Sequence, residues 1–136
     1  MKNKILILFR LAALVFPSVS KSQMIKKATG VEQSWCEDIL RKVEKVAGCK
    51  CSEPITVAVD EYSGFMFMGM PVFGLYEQDI SKVTVIRQSL SPWLLAHEFA
   101  HVVYCDNYSF HPEFWADTTA DMAVGKQPKW IKELAK

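Results

Sequence analysis

Nowhere in its 136 residues does this chain carry an apolar run long enough to span a bilayer. The longest, Ile5 to Phe16, is broken by Arg10 and falls short of the roughly 20 residues a transmembrane helix needs. Charge of one sign is missing too. Sixteen Lys and Arg against 15 Asp and Glu leave a formal charge of +1, with no basic stripe for a phosphate backbone, so nucleic acid is not an expected partner. Internal repeats and low-complexity segments are absent. Histidine is scarce, at three residues, yet His97, His101 and His111 all fall within one short stretch. Half the residues are hydrophobic and 23% are charged, the balance of one globular domain with a modest core.

The N-terminus stands apart. Lys2 and Lys4 precede the apolar stretch, and Ser18-Val19-Ser20 offers small residues where a signal peptidase cuts, so residues 1–20 read as a secretory signal peptide. Arg10 keeps an uncleaved anchor or a plain amphipathic helix as the alternative. Cleavage leaves 13 basic against 15 acidic side chains, a formal charge of −2, and a secreted or periplasmic protein with no stable membrane span. Without cleavage, the chain is cytoplasmic or anchored by that segment. Cys36, Cys49, Cys51 and Cys105 form an even set suited to two disulfides in an oxidising compartment, with three possible connectivities. Cys49 and Cys51 are too close in sequence to bond comfortably, so each is expected to reach Cys36 or Cys105.

Residues 21–30 are polar and basic and read as a flexible lead-in to a domain over 31–136. Val31, Trp35, Ile39, Val43 and Val46 recur every three or four residues, predicting an amphipathic helix that stops at Gly48. Ile55, Val57 and Val59 alternate with Thr56 and Ala58 as in a half-buried strand. Gly64 to Pro71 is rich in Met and Phe, and is either a loop folded onto the core or an adaptable apolar wall of a peptide groove. Further strands are predicted at Val72 to Tyr76 and Lys82 to Arg87.

Ser91-Pro92 then signals a helix start. The helix that follows is apolar nearly all round, hence buried, and carries His97-Glu98-Phe99-Ala100-His101. Residues four apart lie on one helical face, so His97 and His101 can offer two imidazole nitrogens to one metal ion, with Glu98 beside it as general base. H-E-x-x-H is the usual zinc-binding signature of a metallopeptidase, in which the metal acidifies a water that attacks a peptide carbonyl. A catalytic zinc normally has a third protein ligand. His111 stands before Pro112 at the entrance to a second helix running to about Val124, where a chain reversal brings it back toward the pair. The rival is Glu113, with Asp117 on the same face orienting a ligand histidine. Asp121, one turn on, reads as part of a solvated acidic face. Tyr104 and Tyr108 are candidate donors to an oxyanion.

His97-Glu98-x-x-His101 followed by His111-Pro112-Glu113-Phe114-Trp115 resembles the zinc core of SprT-like and related minimal zincin metallopeptidases over roughly residues 83 to 124. The resemblance implies His97, His101 and His111 as ligands, Glu98 as base and Trp115 as packing behind the site. Pro112 replaces the glycine usual in that pattern. Glu113-x-x-Ala116-Asp117-x-x-Ala120 is similar to the second helix of gluzincins, which implies Glu113 as third ligand. The expected architecture is an α+β, minimal zincin-like fold: a small mixed sheet packed on the H-E-x-x-H helix, whose edge strand can pair with an extended substrate, flanked by an N-terminal amphipathic helix and a C-terminal helix. The expected function is zinc-dependent hydrolysis of protein or peptide substrates. A non-catalytic zinc-binding domain and a cytosolic DNA-associated protease of SprT type are the alternatives.

Overall fold

A computed structural model describes residues 24–61, 66–67, 70–71, 73–108 and 112–134. The chain is α+β, with a four-stranded mixed sheet covered by helices. Strand β1 (Ile25–Thr29) leads into helix α1 (Gln33–Ala47), then β2 (Ile55–Asp60). A two-residue ladder, β3 (Met66–Phe67) and β4 (Met70–Pro71), precedes β5 (Gly74–Glu77) and β6 (Lys82–Ile86). Helices α2 (Pro92–Asn107), α3 (Glu113–Val124) and α4 (Lys129–Leu134) complete the chain. None of the described helices is long and apolar enough to cross a membrane.

The sheet order is β1-β2-β6-β5. β1, β2 and β6 are parallel, and β5 joins β6 antiparallel with Gly74 opposite Val85 and Glu77 opposite Lys82. Ile55, Val57, Val83 and Val85 are buried in its centre. Residues 21–30 are not all lead-in: Ile25–Thr29 is an edge strand, with Ile25 buried and Lys26 and Lys27 exposed. An outer strand paired on one side keeps only one residue in the core here, and lysines on such an edge discourage pairing with another chain. That composition hides a strand from a search for alternation.

Helix α1 buries Cys36, Ile39, Leu40 and Val43, the i, i+3, i+4, i+7 stripe of an amphipathic helix. It ends at Gly48, whose φ of 73° needs no Cβ and whose N–H reaches the Glu44 carbonyl. The strand predicted over 72–76 is seen at Gly74–Glu77, and the one predicted to Arg87 stops at Ile86. The side chains of the Met-rich stretch, and with them the reading as a groove wall, lie outside the described residues.

The four cysteines are free thiols, so the expected disulfides are not formed. Cys51 Sγ donates instead to the Glu53 carbonyl at 2.9 Å. Burial pushes the Cys51 thiol up to about 12 and the Cys36 thiol up to about 11, which makes both poor thiolates.

Helix α2 holds the fold together, packing against α1, α3, β5 and β6. Its start is as predicted: Ser91 Oγ accepts from Leu94 N at 3.1 Å, and Pro92 occupies the first turn. Leu95, Ala96, Phe99, Ala100 and Val103 are fully buried. Phe99→Ala is therefore expected to lower stability by about 3–5 kcal/mol in urea unfolding. A loss below about 1 kcal/mol would contradict its place in the core.

Candidate metal centre

A helix buried on nearly every side has few places for polar side chains, and α2 gathers them on the face turned toward α3. The two helices form a hairpin, so contacts step in opposite directions along them: Trp93 meets Asp121, His97 meets Asp117, and His101 meets Glu113. The spacing of four on each helix makes the pairing regular.

Three ligand atoms converge there. His97 Nε2 and His101 Nε2 are 3.1 Å apart, and Glu113 Oε2 lies 3.2 Å from each. These residues form a triad able to hold a metal ion. On the far side of the His97 ring, Nδ1 is 2.8 Å from Asp117 Oδ1, a charge contact without the alignment of a full hydrogen bond. A small turn of either side chain would complete that bond, placing the ring proton on Nδ1 and the Nε2 lone pair toward the triad. Burial, and then the neighbouring His101, lower the His97 pKa, outweighing the opposing pull of Glu113 and Asp117. A neutral imidazole is the form that ligates. Without a cation or a shared proton, three lone-pair atoms at this separation repel one another, so the donor set fits a metal.

Two further residues brace the site. The Trp93 ring stacks on His97 with centroids 5.3 Å apart and planes inclined by 27°. Its Nε1 donates to Asp121 Oδ1 at 2.7 Å, and the Gln127 backbone N donates to the same oxygen at 3.1 Å. Asp121 is thus no free acidic face. It fixes the indole that stacks on the His97 ring, and the spacing of four shared by Glu113, Asp117, Asp121 and by Trp93, His97, His101 becomes a pairing only once the two helices are laid together.

Glu98 points to the other side of its helix, toward the sheet. It is only 5% exposed, and a Cβ added to Gly74 on β5 would lie 2.9 Å from its Oε1. Burial, with a smaller push from Glu113, raises its pKa to about 8 in the metal-free protein.

Other expected site residues fare differently. Among the described residues it is Glu113 that joins the two histidines, while His111 lies outside them. Trp115 is not buried behind the site. It is 38% exposed and forms an aromatic cluster with Tyr104 and Tyr108, centroids 5.7 and 6.3 Å away. The Tyr104 hydroxyl shares a 2.6 Å hydrogen bond with Thr119. A cavity of about 730 Å³ lies at the opposite end of the sheet, near Ile25, Thr56 and Ser81, and includes none of the triad, so concavity alone does not mark the centre.

Compared with known proteins, the chain matches no family model, no curated protein and no solved structure.

The buried carboxyl has a measurable consequence without metal. Glu98 keeps its proton up to about pH 8 when folded but loses it near 4.5 when unfolded, so its contribution to stability falls as pH rises across that window. His97, with its folded pKa lowered from 6.5, acts in the opposite sense: the unfolded chain takes up the proton, so stability falls as pH drops below about 6.5. The Glu98 effect therefore dominates between about pH 6.5 and 7.5, before the thiols, raised from 9.0 by burial, add a loss of the same sign. Chelator-treated protein is expected to lose stability over that interval in urea titrations, and Glu98→Gln to remove the slope. An unchanged slope in the variant would contradict the assignment.

Proposed function

We propose that this chain is a zinc-dependent metallopeptidase of minimal zincin type. The carrying observation is the convergence of His97 Nε2, His101 Nε2 and Glu113 Oε2 within 3.2 Å, with Glu98 next along the same helix. Two imidazoles and a carboxylate suit zinc, and three protein ligands with a solvent-facing side distinguish a catalytic zinc from a closed structural one. Glu113 is 73% exposed at its side chain, so the centre opens to solvent on that side. The resemblance of Glu113-x-x-Ala116-Asp117 to the gluzincin second helix supports the same ligand set.

When bound, zinc supplies a water with a pKa near 7 and polarises the scissile carbonyl. His97 and His101 would hold the metal through Nε2 and Glu113 through its carboxylate. Asp117, 2.8 Å from His97 Nδ1, would hold the ring proton there once the two align, and Trp93, anchored by Asp121, stacks on that ring. Glu98, next to His97 in the chain, would be the base that takes a proton from water and returns it to the leaving amine. Extended protein or peptide chains are the substrates. The N-terminal segment supports a secreted or periplasmic setting.

The deep burial of Glu98 favours the rival reading, a non-catalytic zinc-binding domain, because a general base must reach water. Wild type and Glu98→Gln separate the two. Both are expected to retain about one zinc per chain, with peptide hydrolysis lowered about 10²–10⁴-fold in the variant alone. Zinc-loaded wild type that cleaves no protein or peptide mixture would favour the binding domain. Glu113→Ala is expected to weaken zinc affinity sharply, and Asp117→Ala by about 10–100-fold. A sharp loss in His111→Ala with Glu113→Ala unaffected would replace the carboxylate by a third histidine.

A further inference from the structure

Gly74 sits where β5 runs beside α2, and its backbone is not in the left-handed region that favours glycine. The reason for glycine is space. A Cβ built at this position would lie 2.9 Å from Glu98 Oε1, closer than real Cβ atoms approach, and 3.0 and 3.1 Å from Cγ and Cδ, tighter than most real Cβ contacts. Glycine weakens a strand interior and marks close approach by another group, and here that group is the Glu98 side chain.

Neither partner has room to withdraw. Gly74 pairs with Val85 of β6, and the carbonyl of Phe73 just before it accepts from Ile86 N at 3.0 Å and Ser89 Oγ at 3.1 Å. Ser89 is itself fully buried. Glu98 is fixed on a helix whose neighbouring residues Phe99 and Ala100 are fully buried in the core. A methyl at 74 must then be met by rotation of the carboxylate.

We propose that Gly74 is a positioning residue: the gap left by its missing side chain is the slot that sets where the Glu98 carboxylate stands. The catalytic consequence rests on the reading of Glu98 as general base given above. The ligands lie on the α3 side of α2, so a change in the slot moves the base and leaves the metal's holders in place.

Gly74→Ala in the full, zinc-loaded chain is expected to lower kcat about 10²-fold, the scale of a misplacement near 1 Å, with KM and zinc affinity within about twofold of wild type. After replacement of zinc by Co²⁺, the visible absorption bands of the variant should shift at unchanged affinity. Glu98→Asp, shorter by one methylene, makes room for the new methyl. It should damage wild type but restore activity in the Gly74→Ala background. Unchanged kcat in Gly74→Ala, or multiplicative losses in the double variant, would overturn the proposal. Should wild type prove inactive, the general-base reading fails separately, and unfolding midpoints decide the slot. Gly74→Ala should lower the urea midpoint when Glu98 is present and not in Glu98→Ala, whereas equal losses in both would overturn it.

Discussion

The close approach of two imidazole nitrogens and one carboxylate oxygen, each about 3.1–3.2 Å from the next, is the constraint around which the structure is organised. Lone pairs held so near one another need either a ring N–H donated between them or a cation. The fold supplies the rigidity that keeps them there. Helix α2 is clamped between the sheet and the other helices, α3 returns alongside it, and the contacts Trp93 to Asp121, His97 to Asp117 and His101 to Glu113 fall into register along the seam.

The two faces of α2 carry different chemistry. Toward α3 lie the His97 and His101 rings, partly open to solvent through exposed Glu113. Toward β5 lies Glu98, enclosed and close to Gly74. Consecutive residues on a helix are about 100° apart, so a ligand and a base can neighbour one another in sequence and still occupy separate environments. Burial lowers the His97 pKa on one face, and burial raises that of the Glu98 carboxyl on the other. In the proposed reaction this division separates holding the metal from moving the proton.

Much of this was legible in the sequence because it rests on local periodicity. The Ser91-Pro92 start, the all-round apolar helix, the spacing of His97 and His101, the α1 stripe ending at Gly48, and the alternation in β2 all follow from rules that act within one or two turns. The edge strand Ile25–Thr29 escaped because two of its residues are exposed lysines and only Ile25 enters the core. The brace formed by Trp93 and Asp121 escaped because it depends on which residues of α3 face which residues of α2, a matter of tertiary register. The cysteine count suggested bonds, yet the thiols are separately engaged: Cys36 is enclosed in α1 and Cys51 is bonded to its own loop. The slot at Gly74 could not be read at all, since a glycine kept for space looks like any other until the strand and the helix are laid together.

X-ray absorption at the zinc edge, on protein loaded with one equivalent and compared with Glu113→Ala, tests the coordination sphere most directly. The account predicts two imidazole nitrogens near 2.0–2.1 Å and light oxygen donors near 2.0–2.2 Å, with the carboxylate oxygen lost in the variant. A shell that includes sulfur, or one unchanged by Glu113→Ala, would contradict it.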